Sequence, residues 1–323
     1  MKDTIILGSN KSAEEYISML SDMKNIRVKG YIDPDDSLNY NMFGDFIKTM
    51  EIIEQGDLFI LGNQVHSIDI DVLKHMIRFG KHILIDGLRN WSSYDINELE
   101  KLRRESQTVL QFGNTLNGKP LVTTAFQYIR KPRLVKVEKY STAPKPGQFD
   151  QWIFSQLAEE IDLVCRLMNS GIRSISARPM FLFGKDPDLL NIQIEFDNDA
   201  ICQIALGRAI EEGTHSIQIF QQEKLFHLDF TQNQLSETKN QDPSHQLMLE
   251  IEPLSPEKST DILPTVTVEK PVMHFDSRKM ELKNFIENIE KRLTPLSTLE
   301  HLKDVSDICE WISEKVKRRY QSV

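Results

Sequence analysis

Cysteine is scarce in this sequence, and its distribution removes two classes of protein. Three cysteines in 323 residues, Cys165, Cys202 and Cys309, stand far apart in apolar surroundings, with no spacing that would gather metal ligands. They read as buried thiols of a reducing compartment, not as a disulfide framework. Basic charge is also short. Lys and Arg number 39 against 48 Asp and Glu, a net charge of −9. Nucleic acid is thereby excluded as the main partner, because neutralising phosphates needs a basic face. No apolar run approaches the ~18 residues of a membrane span, so no membrane is expected. The opening MKDTIILGSN lacks the long apolar core of a secretion signal, and the expected compartment is the cytoplasm. Internal repeats are missing too. What remains is ordinary globular composition, 40% hydrophobic and 27% charged, on a chain long enough for two domains.

The run His82-Ile83-Leu84-Ile85-Asp86-Gly87-Leu88 organises the first of them. A helix carrying Val72, Leu73, Met76 and Ile77 closes at Gly80, and a buried strand of Ile-Leu-Ile follows it. Upstream, Thr4–Leu7, Arg27–Ile32 and Leu58–Leu61 read as strands, and a helix from about Ser93 to Glu105 leads to a fifth strand, Thr108–Phe112. Between the first two strands, Ala13, Tyr16, Ile17, Leu20 and Met23 share one helical face. Ser12 with Glu15 forms a capping box that sets this helix to start near Ala13. Strands alternating with helices in this way predict βαβ units in a doubly wound parallel sheet, whose ligands lie at the carboxyl ends of the strands. The pattern changes near Leu116. A helix over about Gln151–Asn169 is followed by strand-like runs at Ser174–Leu182, Asn191–Phe196, Ala200–Leu206, Ser216–Phe220 and Leu225–Phe230. Turns are expected at Asp197-Asn198-Asp199 and at Gln222-Glu223-Lys224. Polar Ser236–Gln246 reads as a loose loop, and helices at Ser277–Arg292 and Leu296–Arg319 close the chain. The expected division is 1–115, an α/β dinucleotide-binding-type domain, and 116–323, an α+β domain with a largely antiparallel sheet. The last helices are expected to be free to pack back on the first domain.

The dinucleotide fingerprint needs Gly-x-Gly-x-x-Gly/Ala between the first strand and helix. Gly8 and Ala13 fill its outer positions, but Asn10 replaces the middle glycine that lets backbone approach a pyrophosphate. Asn tolerates left-handed dihedrals, so the turn is compatible with it. Glu14 and Glu15 add negative charge where an anion would sit. Asp33 follows Ala13 by about twenty positions, where a carboxylate meets a ribose 2′-hydroxyl and repels the extra phosphate of NADP. The expected cofactor is therefore NAD, held by Gly8, Ser9, Asn10, Asp33, Gly62, Asn63 and Asp86.

Several short runs occur in an order that resembles the glucose–fructose oxidoreductase and inositol dehydrogenase (Gfo/Idh/MocA) family. Gly80-Lys81-His82-Ile83-Leu84 is similar to its Gly-Lys-His-Val-Leu run, and Glu159-Glu160-Ile161-Asp162-Leu163 followed by Gly171 to its His-x-x-Asp helix. Phe196-Asp197-Asn198-Asp199 is similar to a Phe-x-Asn-Gly hairpin, and Phe285-Ile286-Glu287-Asn288-Ile289 before Pro295 to the family's tail. The resemblance spans the chain and implies a Rossmann domain followed by an α/β domain whose open sheet forms a homodimer. It also implies NAD(P)-linked oxidation of a sugar, polyol or similar hydroxy compound. The departures fall on the chemistry. The family's Glu-Lys-Pro is Asp86-Gly87-Leu88 here, so its lysine is Gly87, and its helical histidine is Glu159. Glu269-Lys270-Pro271 has the right letters in the wrong domain and reads as coincidence. His66, after Gly62-Asn63, reads as a solvated loop side chain.

Two readings stay open at this point. In the first, an NAD-linked oxidoreductase uses Glu159, beside Asp162, for proton transfer, since burial favours the neutral acid. In the second, the chain is a pseudoenzyme that binds a small ligand or a partner protein without turnover.

Overall fold

The computed structural model describes residues 1–33, 46–62, 70–113, 115–141, 149–182, 187–208, 213–240, 265–295 and 298–320. Contacts gather these into two compact units. The first holds Met1–Lys119, Ile153–Asp162 and Phe275–Trp311; the second holds Pro120–Trp152, Leu163–His274 and Ile312–Val323.

The first unit alternates strands and helices: β1 (Lys2–Leu7), α1 (Asn10–Ser21), β2 (Ile26–Ile32), α2 (Phe46–Gln55), β3 (Leu58–Leu61), α3 (Ile70–Arg78), β4 (His82–Asp86), α4 (Ser93–Ser106) and β5 (Leu110–Gly113). The strands form one sheet in the order β2-β1-β3-β4-β5, every pairing parallel. β3 and β5 are buried at every residue, and β4 at all but its first. A parallel sheet covered on both faces needs such continuous apolar runs, which is why these strands are visible in sequence. α3 ends through Gly80 at φ +70°, the left-handed stop that glycine supplies. α4 begins where Ser92 accepts a hydrogen bond from the Asp95 backbone N–H at 3.1 Å.

α1 departs from the sequence expectation. It starts at Asn10, a turn before Ala13, and Ser9 stands at the cap position. The Ala13 N–H already donates to the Ser9 carbonyl at 2.9 Å, so the Ser12–Glu15 capping box does not form. Ser12 instead packs against Gly8 and Gly62. α2 is a further helix that the sequence reading did not include.

The second unit contains α5 (Pro120–Phe126) and the eight strands of one sheet: β6 (Leu134–Ser141), β7 (Ile172–Met180), β8 (Leu189–Phe196), β9 (Ile201–Arg208), β10 (Thr214–Gln221), β11 (Lys224–Asp229), β12 (Gln234–Asn240) and β13 (Thr265–Lys270). Their order is β13-β12-β11-β10-β6-β9-β8-β7, antiparallel except for the parallel β6–β9 pair. The α/β plus α+β architecture expected from the sequence is the one found. The hairpin turns place Asp199 at φ +62° and Glu223 at φ +61°.

The loop expected at Ser236–Gln246 is corrected in part, because residues 236–240 belong to β12. Glu237 of that strand is buried, held by Lys224 at 2.6 Å and Lys270 at 2.5 Å. An ion-paired acid occupies a position that an apolar residue normally takes, so the strand reads as polar. Residues 241–246 lie outside the described segments.

The long helix α6 (Phe149–Met168) supplies residues to both units. α7 (Ser277–Lys291) belongs to the first, where Leu282, Phe285 and Ile289 join Ala13, Tyr16 and Leu20 of α1 in one buried cluster with Ile6, Ile60 and Leu84 of the sheet. α8 (Leu299–Tyr320) closes the described chain.

Candidate functional site

Strand order reverses between β1 and β3, since β2 lies on one side of β1 and β3 to β5 on the other. Open α/β sheets bind ligands outside the carboxyl ends of their strands at such a switch point. Two glycines meet there. Gly8 donates its N–H to the Ile32 carbonyl at 2.9 Å, and Gly62 donates to Leu7 at 2.8 Å. A Cβ on Gly62 would come within 2.8 Å of Ser12 Oγ, so that position needs glycine to let α1 lie close to the sheet.

α1 points its N-terminus at this edge. Ser9 makes no side-chain capping bond, and no acid occupies the first turn. The repulsion expected from Glu14 and Glu15 is reduced accordingly. Both fall past the first turn of a helix starting at Asn10, and Glu15 is ion-paired with Arg278 of α7. Asn10 and Lys11 are exposed. Unbonded first-turn N–H groups with a nearby lysine suit an anion.

The other expected residues are distributed along the same edge. Ile32, paired with Leu7, is followed directly by half-buried Asp33, so Asp33 stands beside Gly8. Asp86 ends β4 and is only 1% exposed. The Tyr16 hydroxyl bonds to it, and an Arg278 guanidinium nitrogen lies 3.9 Å away. Burial first, and then the Asp86 charge, hold the Tyr16 phenol far above its usual pKa, so it remains a neutral donor. Gly87 takes φ +80° and donates its N–H to the Gly113 carbonyl at 2.8 Å. Asn63 and His66 lie outside the described residues.

On α6, Asp162 is buried, and its Oδ2 accepts from Asn117 Nδ2 at 2.5 Å. Asn117 sits in a 3₁₀ turn, Leu116–Gly118, just beyond β5. Asp162 is thus tied to the carboxyl end of the sheet. Glu159 is half-buried three residues earlier, and Glu160 between them is fully buried.

Three residues at this edge were not singled out from sequence. Arg89 donates from Nη2 to the Gly62 carbonyl at 3.0 Å, bridging the ends of β4 and β3. Burial lowers its pKa, while Asp86 and Tyr16 work the other way. Its signal was available: it is the cation nearest after the strand that ends at Asp86. Arg278 and Glu281 carried none, because they arrive from α7, far along the chain. The Glu281 carboxylate rests on Gly113 and Gly118; a Cβ at Gly113 would stand 3.0 Å from Oε2, and one at Gly118 would collide with it.

No family model matches the chain, and no curated protein does either. Solved structures do match. UDP-N-acetylglucosamine 3-dehydrogenase from Acidithiobacillus ferrooxidans aligns over 99% of both chains, with TM-score 0.80 and 15% identity. The fold is shared. A dehydrogenase (MviM) from Clostridium difficile aligns over 98% of this chain and 99% of its own, with TM-score 0.75 and 13% identity. An NAD-binding protein from Listeria innocua covers 98% and 95%, with TM-score 0.71 and 15% identity. The two-domain fold implied by the sequence resemblance is therefore the fold of several dehydrogenases along nearly its whole length.

Proposed function

We propose that the protein is a divergent member of the glucose–fructose oxidoreductase and inositol dehydrogenase group that binds NAD and a sugar, polyol or similar hydroxy compound, without the group's lysine and histidine chemistry. The observation that carries this reading is the backbone at Gly87. At φ +80° it has a conformation that lysine adopts only under strain. The lysine is therefore missing from a turn built for glycine. Beside it, Asp86 is engaged by Tyr16 and approached by Arg278, and Arg89 supplies a fixed charge. A guanidinium stays protonated at neutral pH and cannot relay a proton as lysine can.

The residues present fit the cofactor. Gly8, Gly62 and the α1 N-terminus would hold the pyrophosphate, and Asp33 would take the ribose hydroxyls. When bound, NAD supplies a hydride acceptor. The protein's own contribution is to orient it and to set the charge around it through Arg89 and Asp86. A homodimer through the second unit's sheet belongs to the same proposal.

Calorimetric titration tests the reading. NAD or NADH should bind at least tenfold tighter than NADP, Asp33→Ala should erase the difference, and common sugars and polyols should give no nicotinamide reduction. Equal or tighter NADP binding would remove the role of Asp33. A second reading rests on Glu159, half-buried three residues from the tethered Asp162. If the protein oxidises a polyol with NAD and Glu159→Gln abolishes that turnover, Glu159 is the acid–base group of an active enzyme.

A further inference from the structure

The amino ends of the same parallel strands border a cavity of about 620 Å³, lined by Lys2, His82, Arg103, Arg104, Thr108 and Arg292 among others. It lies roughly 15 Å from the carboxyl edge, the length of a five-residue strand. The bland account of its charge is that cations gather at helix C-termini, where they offset the dipole. That account covers Arg103 and Arg104, in the last turn of α4, which share the Glu100 carboxylate at 2.7 Å; Arg104 also reaches Glu300 at 2.6 Å. It does not cover Lys2, which begins a strand. Among the described residues, neither Lys2 nor Arg292 has a carboxylate within ion-pair distance. Nor does dipole neutralisation require a cavity.

We infer that this cavity binds a phosphorylated sugar or polyol. Lys2 and Arg292 supply two uncompensated cations for the phosphate. His82 supplies a neutral donor. Its Nδ1 accepts the Val109 backbone N–H at 3.0 Å, so the uncharged ring carries its proton on Nε2. α4 and α7 both terminate here, at Gln107 and Arg292 in left-handed conformations. Helix C-termini leave carbonyls without partners in the helix, which accept from hydroxyl groups. The Asn288 carbonyl is already taken by the N–H groups of Arg292 and Leu293; a polyol would offer hydroxyl donors to the carbonyls that the caps leave open. The volume falls within the range of small-molecule sites and exceeds what a bare phosphate would fill. This site stands apart from the carboxyl edge and does not depend on dinucleotide binding there.

The test is calorimetric titration of the full-length protein with glucose 6-phosphate, fructose 6-phosphate and ribose 5-phosphate, alongside glucose and inorganic phosphate. At least one sugar phosphate should bind tenfold or more tightly than either half alone. Lys2→Gln with Arg292→Gln should weaken it at least tenfold with thermal unfolding unchanged, and Arg292→Lys should retain part of the affinity. Asn10→Asp, at the opposite edge, should leave it unaffected. The inference is overturned if no sugar phosphate binds, if the double variant binds as well as the parent, or if Asn10→Asp abolishes binding.

Discussion

Gly87 combines φ +80° with a backbone hydrogen bond to Gly113, so its effect on the site runs through conformation before side-chain chemistry. A Cβ in the left-handed region costs roughly 1–2 kcal/mol. Gly87→Ala should therefore lower unfolding stability by about that amount in urea, and Gly87→Lys by no less, without creating turnover. Gly30 of β2 is the contrast: nothing would stand within 4 Å of a Cβ there. Gly30→Ala should stay within about 0.5 kcal/mol of the parent. Equal losses at both positions would mean that conformation is not what sets the Gly87 requirement. His82 gives a pH-dependent counterpart. Burial, with Lys2 adding to it and Asp57 opposing, pushes its pKa from 6.5 to about 4. Between those values the unfolded chain binds a proton that the folded ring refuses. Its contribution to stability is thus present above pH 6.5 and lost as the pH falls toward 4. His82→Gln, which can still accept from Val109, should flatten that part of the stability profile. Parallel decline of parent and variant between pH 7 and 4 would locate the acid sensitivity elsewhere.

Elements were legible in sequence where burial is two-sided or alternation is clean. Leu58–Leu61 and Ile83–Ile85 are continuous apolar runs because helices cover both faces of their sheet. β8 alternates because Ile192, Ile194 and Phe196 are buried while Asn191 is exposed. Reading failed where one group did the work of another. β12 looks polar because two lysines neutralise its buried Glu237. The α1 start was misplaced because Ser12 and Glu15 spell a capping box, while tertiary contacts direct both side chains elsewhere, to Gly62 and Arg278. α2 was within reach: Asp45 precedes Phe46, Met50 and Ile53 at helical spacing. For the candidate site, local sequence located Gly8, Asp33, Gly62 and Asp86 on one edge. It could not locate what surrounds Asp86, since Arg278 and Glu281 come from a helix that only the tertiary fold brings there.

At the scale of the whole molecule, the second unit's sheet carries the assembly prediction. Its buried face takes Val135, Val137, Cys202, Ile204, Ile192 and Ile194. The opposite face of β6, β9, β8 and β7 presents Lys136, Glu138, Gln203, Ala205, Gln193 and Arg178 around a depression of about 600 Å³. Both charge signs occur on that one face. A twofold interface sets a patch against its own copy, so a patch of mixed sign can complement itself where a patch of one sign would repel. A stable interface of ordinary size takes about 800 Å² from each partner, which a four-stranded face can provide. The protein should therefore show twice the monomer mass by light scattering at micromolar concentration. Ala205→Arg, which adds bulk and positive charge to that face, should shift the mass toward the monomer while thermal unfolding of each protomer still occurs cooperatively. A monomeric parent would overturn the homodimer, and a dimer indifferent to Ala205→Arg would place its interface on another surface.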